Sequence, residues 1–340
     1  MQKILKISLK YNLKGLWALS LVLLFFSSLY SQTIFNEIVV FGDSLSDVGR
    51  VNGYTLGASP GSNYYQGRYS NGLLAVDRIN SQMGFSSLTP RSGTNGVVNT
   101  QGNNFAVGGA STKDDNLTQS GMRPPSAPSN LGFQSQVTDY LNSSQTKSAD
   151  KLVFAWIGGN DMVRAFATGS QASALTYLDD SLSRMSSSLN SLVSAGSTSI
   201  FVPNLINMAY VPLYASQSST NLSLLTSLTQ YWNQGLSNIV TGINQPQVQL
   251  FDTYTLFNTI YQNPSTYGIE QVTGRGIDHI GSLDDYLFYD SIHPGALGHE
   301  ILGNAMFQKI SAIPEPSTYI FSLISFAGII FLFLRSRVLR

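Results

Sequence analysis

Short bursts of apolar and β-branched residues punctuate the chain at 38–41, 105–107, 152–157, 199–202 and 248–251, each too brief for a helix and bounded by polar or glycine-rich stretches. Between most of them lie longer segments whose apolar positions recur every three to four residues, clearest at 73–83, 172–195 and 222–243. Buried strands that alternate with helices predict a parallel sheet covered on both sides, a single three-layer α/β/α domain. In such a domain the reactive groups collect at the carboxyl ends of the strands. Two stretches break the pattern, 52–67 and 111–130, the second carrying Met122-Arg123-Pro124-Pro125. Loops of that length are functional or mobile, and the second could wall a pocket because it follows directly on Gly109.

The apolar pattern is different at the ends. Residues 1–31 join four lysines to an apolar run, 16–26, and a small-residue exit, Ser27-Ser28-Leu29-Tyr30-Ser31, the layout of a signal peptide removed by signal peptidase near Ser31. A permanent amino-terminal anchor is the alternative. Near the other end, Pro314-Glu315-Pro316 precedes an apolar run, 319–334, and a tail with three arginines. Sixteen helical residues reach about 24 Å, a marginal span, and arginines beyond it would stay cytoplasmic and leave the main domain outside.

With 340 residues, 43% of them apolar, the chain can build a large core. Only 11% of residues are charged, so the surface is polar but weakly charged. The 19 basic and 19 acidic residues cancel overall; without the seven basic residues and one glutamate of the two ends, 12 basic face 18 acidic, net −6. An acidic domain with no basic cluster is a poor match for nucleic acid. The absence of cysteine removes disulfides, thiolate metal sites and cysteine nucleophiles together.

Candidate chemistry starts where the first apolar burst breaks into Gly42-Asp43-Ser44-Leu45, a serine delivered at a strand end. Alone this is also good turn chemistry. Three further blocks follow: Asn104-Phe105-Ala106-Val107-Gly108-Gly109, Trp156-Ile157-Gly158-Gly159-Asn160-Asp161 and Asp290-Ser291-Ile292-His293-Pro294. Asp290 lies three residues before His293, a spacing at which one turn brings a carboxylate onto Nδ1 and leaves Nε2 free for a serine. Ser59, in Gly57-Ala58-Ser59-Pro60-Gly61, fits another hydrolase pattern, but the proline after it has no N–H for an oxyanion and no apolar strand precedes it. Only three histidines exist, and none belongs to a His-Glu-x-x-His motif; His299 reads as a packing residue of a helix, His279 as a weaker competitor. Asp278, Asp284 and Asp285 read as a solvated acidic loop rather than a calcium site. No cofactor and no metal are implied.

Together the four blocks resemble the GDSL, or SGNH, family of serine esterases and lipases, over about residues 37–310. Softer echoes are Gly67-Arg68-Tyr69-Ser70-Asn71-Gly72 and Asn263-Pro264-Ser265-Thr266-Tyr267-Gly268. The resemblance implies a flavodoxin-like fold, Ser44 as nucleophile, His293 as general base and acid with Asp290 orienting it, and an oxyanion hole from the Ser44 and Gly109 N–H groups and the Asn160 amide. It also implies an ester substrate: a small molecule, a lipid or an acylated sugar. Lipase, phospholipase, thioesterase and polysaccharide deacetylase activities all fit, and a non-catalytic surface or matrix protein that keeps the fold is the rival. The carboxyl-terminal arrangement resembles a PEP-CTERM sorting signal, which implies processing by an exosortase in bacteria that make extracellular polysaccharide; a simple tail anchor is the alternative. The expected organisation is therefore a signal peptide at 1–31, a hydrolase domain at 32–312 and a sorting signal at 313–340, with the protein exported, transiently anchored, then surface-bound or extracellular.

Overall fold

The computed structural model describes residues 35–91, 99–113, 131–279 and 285–313. Phe35–Ile310 form one compact unit. The signal-peptide and sorting-signal readings, most of the 111–130 loop and Asp284 lie outside the described residues. Among those described, no helix is long and apolar enough to cross a membrane.

In chain order the elements are strand β1 (Glu37–Gly42), helix α1 (Arg50–Tyr54), α2 (Ala75–Gln82), α3 (Phe133–Asn142), β2 (Lys151–Trp156), α4 (Gly159–Ala167), α5 (Gln171–Ser194), β3 (Ile200–Pro203), α6 (Ser219–Ile243), β4 (Val248–Phe251), α7 (Thr253–Gln262), β5 (Gln271–Arg275), β6 (Tyr286–Phe288) and α8 (Ala296–Ser311). Strands β1 to β4 pair in sequence order, all parallel, with Glu37 opposite Lys151, Val153 opposite Ile200 and Ile200 opposite Val248. The burst at 105–107, expected as a strand, runs parallel beside β1: Val40 N–H donates to the Asn103 carbonyl, Phe105 N–H to Val40 and Val107 N–H to Gly42. Its pairing there is confined to an isolated bridge, and on its far side Asn104 exchanges backbone hydrogen bonds with Thr89 and Arg91. Counting that segment, the second in the chain, the strand order is 2-1-3-4-5, the doubly wound arrangement of flavodoxin-like folds.

Successive strand residues face opposite sides of the sheet, and both sides are buried, which is why the strands read as unbroken apolar runs. On one face Val39, Phe41, Val153, Ala155, Ile200 and Val202 pack with Phe133 and Tyr140 of α3, Met185 and Leu189 of α5 and Leu236 of α6. Phe41 lies at the centre of an aromatic cluster with Phe105, Phe133 and Tyr140, ring centroids 5.3–6.2 Å apart. On the other face Ile38, Val40, Leu152, Phe154 and Phe201 are fully buried, and α2, α7 and α8 contribute Ile79, Phe257, Ile260, Leu302 and Met306 to the core.

The long helices begin where a side chain caps them: Ser170 accepts from Ser173 N–H, Ser218 from Asn221 N–H and Asp252 from Thr255 N–H, at 3.0–3.2 Å. Helix α6 stops at Asn244, which takes the left-handed conformation of a C-cap. The parallel pair β5 and β6, which the periodicity does not single out, carries the chain to residues 289–295 beside the carboxyl end of β1.

Candidate active site

The site is built where β1 ends. A Cβ on Gly42 would stand 2.4 Å from the Trp156 carbonyl oxygen, so only glycine lets the ends of β1 and β2 close together. Gln136 of α3 fixes that peptide from the side, its amide accepting from Gly42 N–H and donating to the Gly42 carbonyl, each at 2.9 Å. The chain then turns sharply: Asp43 accepts from Leu45 N–H through its side chain and from Ser46 N–H through its carbonyl. The turn leaves Ser44 with its Oγ 2.7 Å from Nε2 of His293.

His293 is held from its other nitrogen. Nδ1 lies 2.7 Å from Oδ2 of Asp290, while Oδ1 of the same carboxylate accepts from the N–H groups of Ile292 and His293 at 2.9 and 2.8 Å. The three-residue spacing thus works as a single turn in which one carboxylate oxygen closes the backbone and the other meets the ring. Burial by itself would push the Asp290 carboxyl up, but the hydrogen bond and charge of His293 and the two N–H donors outweigh it and hold it at about 2. An ionised Asp290 favours the tautomer with its proton on Nδ1, which leaves the Nε2 lone pair to accept from the serine hydroxyl.

The remaining expected residues meet at the turn 108–112. Gly109 has φ +81°, a conformation suited to glycine. Gly108 donates its N–H to Oδ2 of Asp47 at 2.8 Å, and the ring of Tyr69 occupies the space a Cβ there would need. Asn160, in the first turn of α4, donates its amide to the Ala110 carbonyl at 2.9 Å. Asp161 beside it accepts from the Thr112 N–H and hydroxyl at 2.9 and 2.7 Å. Asp47 from the loop after β1 and Asp161 from α4 therefore both hold the turn. Among the described residues the N–H groups of Ser44 and Gly109 have no protein acceptor.

The structure brings Ser44, His293 and Asp290 into one hydrogen-bonded chain and ties Asn160 to the turn that carries Gly109. Ser59 lies elsewhere, its Oγ 3.3 Å from the Tyr69 hydroxyl. His299 is buried in α8, as read from the sequence, with Nδ1 accepting from Ala75 N–H at 3.2 Å; burial lowers its pKa to about 3. His279 is exposed and stacks on Tyr286, and Asp278 pairs with Arg275 at 2.6 Å.

Four groups around the site were not assigned from sequence. Asp161 falls inside a motif block and Asp47 follows two residues after the Gly42-Asp43-Ser44-Leu45 block, so both stood close to a recognisable signal. Asp43 is buried, which raises its carboxyl to about 7 against the opposing pull of the Leu45 N–H and the charge of His293. Tyr64, from the irregular stretch 52–67, donates its hydroxyl to Oδ2 of Asp290 at 2.8 Å, and nothing local in the sequence marks it.

The profile of the family described as GDSL-like Lipase/Acylhydrolase matches residues 38–306. A GDSL esterase/lipase of Arabidopsis thaliana is 27% identical over 327 residues, covering 80% of this chain and 88% of its own. A phosphatidylcholine-sterol acyltransferase of Aeromonas hydrophila is 28% identical over 253 residues, covering 74% and 68%. Similar solved structures include an acetylxylan esterase from Geobacillus stearothermophilus, at 16% identity over 82% of this chain and 96% of that one with a TM-score of 0.45. An extracellular lipase from Streptomyces rimosus aligns at 16% identity over 81% and 99%, also at 0.45. Because the profile runs from the strand before Ser44 to the helix beyond His293, the chain belongs to the GDSL-like lipase/acylhydrolase family and is a hydrolase acting on ester bonds.

Proposed function

We propose that the protein is an exported carboxylic ester hydrolase that works through an acyl-enzyme on Ser44. The observation that carries this reading is the unbroken chain from Ser44 Oγ through both nitrogens of His293 to Asp290, 2.7 Å at each link. Ser44 Oγ attacks the ester carbonyl carbon while its proton passes to Nε2 of His293. The tetrahedral intermediate collapses with cleavage of the bond to the alkoxy oxygen, and His293 gives that proton to the departing alcohol. Water then gives a proton to His293 as its oxygen attacks the acyl carbon, and the second tetrahedral intermediate breaks its bond to Ser44 Oγ, which takes that proton back from His293 as the acid is freed. The N–H groups of Ser44 and Gly109 and the Asn160 amide are the donors assigned to the oxyanion. Asp290 stays ionised and orients the imidazole.

Lipid esters and acylated sugars are the substrate classes that fit an enzyme placed outside the cell. That placement rests on the sequence of the ends: a lysine-bearing apolar leader, and Pro314-Glu315-Pro316 with an apolar run and three arginines as an exosortase signal.

Replacement of Ser44 tests the mechanism. Ser44→Ala should abolish turnover of chromogenic esters and labelling by a fluorophosphonate probe while the circular dichroism stays unchanged, and Ser59→Ala should retain both activities. Full turnover by the Ser44 variant would sink the mechanism.

A further inference from the structure

Residues 63–71 form a clamp on the loop that carries Asp290 and His293. The Tyr289 hydroxyl donates to the Asn63 carbonyl, the Ser70 hydroxyl donates to the Pro294 carbonyl at 3.0 Å, and Ala296 N–H donates to the Asn71 side chain at 2.8 Å. The clamp is itself pinned: Arg68 makes a two-pronged pair with Asp77 of α2 at 2.7 and 2.8 Å, both side chains buried. Within it the ring of Tyr64 is packed edge-on between Tyr69 and Tyr289, centroids 6.2 and 5.2 Å away, and the ring of Tyr69 lies 5.1 Å from that of His293. Packed this way, the Tyr64 hydroxyl is delivered to Oδ2 of Asp290, the same oxygen that meets His293 Nδ1.

We infer that Tyr64 is a positioning residue which shares the Asp290 oxygen with His293 and thereby lowers the proton affinity of the imidazole. This rests on the proposed roles of Asp290 and His293. Two donors on one carboxylate oxygen divide its charge. The more of that charge the phenol takes, the less remains to stabilise an imidazolium, so His293 is a free base at lower pH than the Asp290 contact alone would allow. The phenol is a suitable donor because burial and the Asp290 charge push its own ionisation up, so it keeps its proton across the working range. The other titratable groups facing the pair are Asp43 at the end of β1, Tyr69 within the clamp, Tyr289 beside Asp290 and His299 of α8. Among the described residues none of these four is hydrogen-bonded to the Asp290 side chain; besides His293 and the Ile292 N–H, Tyr64 is its side-chain partner.

Tyr64→Phe keeps the ring and its packing and removes only the hydroxyl. The acid limb of the kcat/KM profile should then move to higher pH by about 0.5–1 unit, so that kcat/KM on the acid side falls roughly three- to tenfold with KM little changed. The His293 ring resonances, followed by NMR against pH, should move their midpoint in the same direction; this readout needs no turnover. 3-Fluorotyrosine at position 64, a stronger donor of the same shape, should move the limb the opposite way. An unmoved midpoint in both variants, or a downward shift in Tyr64→Phe, overturns the inference. Retained turnover in Ser44→Ala would instead overturn the acyl-enzyme reading, leaving the NMR result to stand on its own.

Discussion

Asn160 gives one amide proton to the Ala110 carbonyl at 2.9 Å, and its amino group has a second to offer. The first contact fixes the plane of the amide against the turn that carries Gly109, so the second donor is oriented before a substrate arrives. A donor aimed at charge that develops only during reaction lowers the barrier without tightening the resting complex. Asn160→Ala is therefore expected to lower kcat by about a hundredfold or more, with a much smaller change in KM, in steady-state kinetics on a soluble ester. A near-normal kcat would demote Asn160 to a residue that braces the loop through Ala110.

The turn 108–112 has little structure of its own and borrows its shape from two neighbours. Asp47 accepts four backbone N–H groups: Gly49 and Arg50 on Oδ1 at 2.8 and 2.5 Å, Val51 and Gly108 on Oδ2 at 3.2 and 2.8 Å. One side chain thereby closes the start of α1 and anchors the glycine turn. The carboxylate is fully buried, and removing it leaves those donors without an acceptor, at about 1–3 kcal/mol for each that water cannot reach. Asp47→Ala should lose at least about 3 kcal/mol of stability by urea denaturation, and kcat should fall under conditions where the variant remains folded, because Gly109 is displaced. An unchanged denaturation midpoint would show that water or another group replaces the carboxylate.

Across the molecule, charge and hydropathy separate a weakly acidic hydrolase domain from two basic, apolar ends. The assigned site residues all lie between Ser44 and His293, so loss of either end should leave the chemistry intact. In a host with a matching exosortase, intact-mass analysis of envelope and secreted fractions should find a species trimmed near Ser31 and at the Pro314-Glu315-Pro316 motif, with activity retained. A mature species that still carries Arg340 and extracts only with detergent would replace the sorting reading with a permanent anchor.

The apolar bursts that read as buried strands, and the helices at 73–83, 172–195 and 222–243, correspond to β1 to β4 with the 103–107 segment and to α2, α5 and α6. They were legible because a parallel strand buried on both faces, and an amphipathic helix, write their environment into neighbouring residues. Asp290 and His293 were legible for the same reason: their bond spans one turn. Gly109 and Asn160 came from motif resemblance, and only the fold shows that Ala110, Asp47 and Asp161 join them. Sequence had no means of finding Tyr64, whose partner lies 226 residues away and whose loop has no periodicity. A long-range hydrogen bond depends on how the whole sheet is wound and which loops it brings to one end, so this part of the site was decided by the tertiary structure alone.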